Sequence, residues 1–184
     1  MFIQTENTPN PATLKFIPDN IKIAGNNPTE FKNIEQTKGQ SILAEQLFLI
    51  NGVDAVFLGE NFITITKAEN KKWQDIKTEI LATIMDFCLL GKPAINQSTT
   101  PESNDEDNEI VKQIKELIEI KVRPSVAMDG GDIIYRGFVD GIVKLQLKGS
   151  CSGCPSSTIT LKNGIENMLK HYIPEVEGVE EISE

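Results

Sequence analysis

Histidine occurs once and cysteine three times in these 184 residues, and those scarcities bound the chemistry open to the chain. A tetrahedral zinc site or an iron–sulfur cluster takes about four protein ligands, more than such a chain readily assembles alone. Three cysteines, of which only two are close in sequence, are not the disulfide framework of a secreted module. No apolar run approaches the length needed to cross a bilayer, so no membrane partner is expected. Basic residues form no stripe: 18 Lys and Arg against 27 Asp and Glu leave a net charge of −9. Phosphate backbones are therefore poor partners, and nucleic acid is not expected. The start, residues 1–7, lacks the basic and apolar regions of a secretory signal and the Arg-rich character of a presequence. Bacterial cytoplasm is the expected compartment, with a mature mitochondrial matrix protein as the alternative.

What the chain does have is Cys151-Ser-Gly-Cys154-Pro155. Residues 142–148 before it alternate apolar and polar as a strand does. After it, Leu161, Ile165, Met168, Leu169 and Tyr172 recur on one face of a helix. Pro155 suits the first helical position, because its fixed φ fits and its missing N–H would be unpaired there. Cys154 then falls at the N-cap and Cys151 one short loop earlier. Unpaired backbone N–H groups and the positive end of the helix dipole favour thiolate there, the form that binds metal or attacks a disulfide. The motif points to metal, iron–sulfur or redox chemistry. Cys88 lies in an apolar helical run, residues 80–90, and reads as a small buried hydrophobe. His171, just before Tyr172 and Pro174, reads as a cation or hydrogen-bonding group at a helix C-terminus. One chain thus supplies two thiolates, and a four-thiolate cluster has to be shared between two copies. Ser150, Ser152, Ser156 and Ser157 read as capping and solvation groups. No active site for turnover is evident, and the chain is not expected to be an enzyme.

The expected fold class is α+β, in two small domains, each a mostly antiparallel sheet packed against helices. Residues 1–92 form the first and 109–184 the second. Residues 93–108 between them carry Glu102, Asp105, Glu106 and Asp107 with no base, and read as a flexible acidic linker. In the first domain, strands are expected at 2–3, 13–17, 53–58 and 62–66. Ser41 caps one helix, and a second carries Trp73, Ile76, Ile80, Ile84 and Phe87 before Gly91 stops it. In the second, a helix over 109–121 is followed by the block 123–132, where Gly130-Gly131 admits backbone angles closed to other residues. Asp140-Gly141 is a two-residue hairpin signal between strands 133–139 and 142–148, and residues 176–182 add an edge strand.

These residues also carry a family resemblance. Residues 1–16, MFIQTENTPNPATLKF, resemble the opening of the Nfu N-terminal domain. Residues 123–132, RPSVAMDGGD, and 148–157, KGSCSGCPSS, resemble the hallmarks of the NifU C-terminal domain. The resemblance implies an iron–sulfur cluster scaffold or carrier in which two chains hold one [4Fe–4S] cluster between them, a [2Fe–2S] form being the lesser possibility. Carried over by position, the metal and cluster ligands are Cys151 and Cys154. A homodimer when loaded, upstream cluster-assembly proteins and recipient apo iron–sulfur proteins are the implied partners. A thiol–disulfide oxidoreductase using the same two cysteines is the alternative, although the motif lacks an early βαβ context. A zinc-bridged structural dimer is a third reading.

Overall fold

The computed structural model describes residues 2–19, 21–25, 28–95, 108–152 and 155–182, without the side chains of 155–158. The chain divides into two compact units, Met1–Thr100 and Pro101–Glu184. Most of the acidic segment, residues 96–107, lies outside the described residues. Ala94 and Ile95, at its start, pack with the core of the first unit.

Among the described residues, five strands build the first unit: β1 (Ile3–Asn7), β2 (Thr13–Pro18), β3 (Thr29–Phe31), β4 (Val53–Leu58) and β5 (Ile63–Lys67). Their order is β1-β2-β5-β4-β3, and every neighbouring pair is antiparallel. Alternation along the strands sends Leu14, Phe16, Val56, Leu58, Ile63 and Ile65 to one buried face. Against that face pack α2 (Ile42–Phe48), through Leu43, Ala44 and Leu47, and α3 (Trp73–Leu89), through Ile76, Ile80, Ile84 and Phe87. Ser41 caps α2 as expected, its hydroxyl accepting from the Ala44 N–H at 3.1 Å. The short α1 (Ile34–Thr37) and β3 were not expected; four and three residues are too few for a readable period.

The second unit is a three-stranded sheet in the order β6-β7-β8. The antiparallel hairpin of β6 (Gly131–Val139) and β7 (Ile142–Gly149) turns at Asp140 and Gly141, with φ of 50° and 76°. Both angles are left-handed, which is what a tight two-residue turn of this type demands. The edge strand β8 (Gly178–Glu181) joins β7 in parallel, reached through the long helix α6 (Pro155–Tyr172). Both units are thus α+β with predominantly antiparallel pairing.

The helical part of this unit runs further than the sequence suggests. α4 (Glu109–Leu117) continues through a π-helical turn, Ile118–Val122, into α5 (Arg123–Met128). Pro124 explains the wide turn. It has no N–H to give, and its ring would press on the carbonyl four residues back. Opening the coil to i→i−5 spacing, with the Arg123 N–H donating to the Ile118 carbonyl, accommodates it without ending the helix. On α6, Ile165 and Leu169 are buried as expected, whereas Tyr172 is 50% exposed. Ile173 takes the inward position instead, and Tyr172 lies under the Lys121 ammonium, 5.0 Å from the ring centroid.

β8 is fastened to α6 by Glu166, whose carboxylate accepts from Lys170 at 2.6 Å and from the Val179 N–H at 3.2 Å. The Lys170 hydrogen bond, then the Val179 N–H, hold the Glu166 carboxyl below its usual range. A depressed carboxyl stabilises the fold above its unfolded pKa and loses that contribution as pH falls through the folded value. Glu166→Gln is expected to lower the thermal midpoint by a few degrees at pH 7. The gap between the two proteins should narrow as pH falls below the ordinary glutamate range and through the lower folded value, which melting curves down the acid range will read.

Candidate functional site

Cys151 stands just past the end of β7, the central strand, where Gly149 turns the chain with φ +70°. Its side chain is 4% exposed and belongs to the apolar cluster that holds Ile114, Val126, Ile133, Leu147 and Leu169. The Ser152 N–H donates to the Gly149 carbonyl at 3.0 Å and closes the turn carrying the cysteine. Cys154 and Gly153 lie outside the described residues, but α6 begins at Pro155, where the sequence places it.

The turn is held from the opposite side by the α5–β6 junction, twenty residues earlier. The Ser150 N–H donates to the Gly130 carbonyl at 3.2 Å, and its hydroxyl donates to the Asp129 carbonyl. That hydroxyl also lies 3.9 Å from Cys151 Sγ. Ser150 is therefore an anchor, 2% exposed, and not the solvating group its sequence context suggests. Gly130 takes φ +81°, the left-handed angle expected of the glycine pair. Gly131 serves a different end: a Cβ there would lie 2.8 Å from Cys151 Sγ and 2.7 Å from the Lys148 carbonyl oxygen.

Beyond Gly131, Asp132 is almost wholly buried and receives Arg123 in a two-pronged ion pair, Nε–Oδ1 2.8 Å and Nη2–Oδ2 3.1 Å. Arg123 also binds Glu119 at 2.8 Å, one turn back across the π segment. The hydrogen bonds to Asp132 raise the already high pKa of Arg123, against the desolvation that lowers it. This pair pins the start of β6 to α5 and so fixes the junction that the cysteine turn leans on. The block 123–132 was visible in the sequence as a unit. Its partnership with residues 148–151 was not, because a contact between distant segments has no local period.

The other sequence candidates lie elsewhere. Cys88 sits on α3, half-buried against the first unit's core, and burial pushes its thiol up. His171 is exposed in the last turn of α6, its ring edge-on to Tyr172 with centroids 5.0 Å apart. Among the described residues, no group of three or more His, Cys, Asp or Glu converges on one point. A thiol carried in a short turn between a strand and a helix has the donor softness for iron or zinc.

Comparison with known proteins bears on which. Residues 3–91 match the family described as scaffold protein Nfu/NifU N terminal, and residues 114–180 match the NifU-like domain. The human protein named NFU1 iron-sulfur cluster scaffold homolog, mitochondrial, is 51% identical over 189 residues, covering 99% of this chain and 72% of its own length. The protein of the same name from Drosophila ananassae is 50% identical over 185 residues, with 99% of this chain matched to 64% of the relative. The chain thus spans roughly two thirds of the length of these relatives. A solution structure of a NifU-like protein from Saccharomyces cerevisiae is 30% identical, with a TM-score of 0.49 over 53% of this chain and 87% of that one.

Replacing Asp132 by Ala removes the carboxylate half of the Arg123 clamp and is expected to cost about 2 kcal/mol in the second unit. Amide exchange should accelerate along β6 and β7 and stay unchanged over residues 3–91. Equal protection of β6 in the variant would show the clamp to be idle.

Proposed function

The chain belongs to the Nfu/NifU family of iron–sulfur cluster scaffold proteins, and on that premise we propose that it holds a [4Fe–4S] cluster as cargo between two copies of itself. Cys151 and Cys154 of each copy are the ligands. The cluster comes from upstream assembly proteins and passes to apo iron–sulfur proteins. The observation that carries this reading is the match over nearly the whole of this chain, in which both domains occur in order and the second contains the Cys-X-X-Cys motif. Ligand number supports the sharing, since two thiolates per chain are half of what such a cluster takes.

Sharing also suits a carrier. Parting the two chains removes half the ligands at once, so a cluster that is stable in transit becomes transferable. Two large apolar side chains flank the turn: Met128, 75% exposed next to the Asp129 carbonyl that Ser150 binds, and Ile159, 62% exposed in the second turn of α6. A second copy covering them would shield the cluster from water. The proposal includes no turnover chemistry. The relatives' names place them in mitochondria, which supports the matrix alternative over the cytoplasmic one for this chain.

Thiol–disulfide exchange is the competing reading. The antiparallel hairpin β6–β7 directly before the motif is unlike the βαβ setting in which redox Cys-X-X-Cys pairs are expected. Anaerobic reconstitution with iron and sulfide separates the two. We expect about two irons and two sulfides per chain in a dimer, with both lost in Cys151→Ser and in Cys154→Ser. Mössbauer spectra distinguish one four-iron cluster per dimer from a two-iron cluster in each chain. A chain that takes up no cluster and cycles between dithiol and disulfide is an oxidoreductase instead. Replacing Met128 and Ile159 together by Asp should lower the holo-dimer fraction several-fold on native mass measurement and leave the apo melting point within a degree or two.

A further inference from the structure

We infer that Gly131 is a positioning residue for the cysteine site, and that the bare side of its α-carbon is the space in which the Cys151 sulfur is kept. The inference deepens the reading of Cys151 as a ligand and rests on it for its functional consequence. Its structural part stands on geometry alone.

A Cβ built on Gly131 would meet three atoms: Lys148 O at 2.7 Å, Cys151 Sγ at 2.8 Å and Cys151 Cβ at 3.2 Å. Contacts below 3.0 Å are not tolerated, so something must shift. The sulfur is one rotation from leaving. The Lys148 carbonyl is not free to move in that way, because it belongs to β7 one residue before Gly149, the register partner of Gly131. A methyl group at 131 therefore displaces the cysteine, parts the first pair of the β6–β7 ladder, or does both.

The demand is for clearance and not for an unusual backbone. Gly131, unlike Gly130, does not have a left-handed φ. Nor can the segment retreat. On one side Gly130 and Asp129 accept hydrogen bonds from Ser150, the residue before the cysteine. On the other, Asp132 is locked to Arg123. Residues bound to the cysteine turn and residues bound to α5 thus hold Gly131 in place against Cys151. The location of the thiol is set by a residue that offers no side-chain donor of its own.

The test is a double-mutant cycle on the full-length apo chain: Gly131→Ala, Cys151→Ala and the pair, followed by thermal unfolding. Native-state labelling of Cys151 by iodoacetamide, read from fragment masses, accompanies it in the two chains that keep the cysteine. If Gly131 makes room for the sulfur, Gly131→Ala lowers the midpoint by several degrees when Cys151 is present. In the Cys151→Ala background it lowers the midpoint by clearly less, because the effects of contacting residues are not additive. Cys151 labelling should rise at least tenfold in Gly131→Ala. A Gly131→Ala chain that fails to fold where the double variant folds supports the inference equally. Equal midpoint shifts in both backgrounds, with an unchanged labelling rate, overturn it. Cluster loading is then measured in wild type and Gly131→Ala. Loss of iron in the variant alone extends the inference to function. A wild type that binds no iron defeats the cluster reading and leaves the outcome of the cycle standing.

Discussion

Two backbone segments of the second unit, residues 129–132 and 148–151, approach each other closely enough to leave no room for a methyl group between them. Much of this unit's construction serves that approach. The hairpin at Asp140-Gly141 brings the segments into register, so that Gly131 faces Gly149. The two ends of Ser150 bind the carbonyls of Asp129 and Gly130, and Arg123 holds Asp132. Each of these bonds is modest on its own, since a net hydrogen bond contributes about 1 kcal/mol. Acting on three residues of one four-residue segment, they make one junction that is hard to shift piecemeal.

The same junction explains why the helix before it is irregular. Arg123 has to reach Asp132 and also Glu119, while Pro124 follows it directly. A regular α-helix through Pro124 would strain against the carbonyl four residues earlier. The π turn removes that conflict. Its own residues Ile118 and Val122, with Val126 of α5, enter the same apolar cluster as Cys151. Core packing, the ion pair and the proline thus share one compromise. A unit with so small a core has little stability to spare, so tying the cysteine turn to buried groups places it among the better-held parts of the sheet.

Features that depend on local geometry could be read directly from the sequence. Asp-Gly between alternating strands has one common structural outcome, and the structure adopts it. Ser41 three residues before a backbone N–H in need of a partner is equally local, as is Pro155 at the start of α6. The apolar spacing of α3 translated into burial at Ile76, Ile80, Ile84 and Phe87. Where the reading stopped short, the competing influence lay at a distance or in too few residues. Tyr172 fits the α6 stripe by period, yet Ile173 fills the space and leaves the ring to Lys121. The helix expected over 109–121 runs on to Met128, because the π turn accommodates Pro124 without ending it.

Gly130-Gly131 shows the limit most sharply. From sequence the pair has one meaning, backbone freedom, and for Gly130 that meaning is right. Gly131 does not need the freedom. It needs the missing side chain, because the atoms that would collide with it belong to residues 148 and 151. No window of neighbouring residues contains that information, since the contact exists only once the hairpin has closed. The Cys-X-X-Cys motif is conspicuous in sequence because thiols are rare in this chain. The residue whose lack of a side chain admits the thiol is conspicuous only in three dimensions. A cysteine site of this kind therefore has a chemical half that composition reveals and a steric half that folding creates.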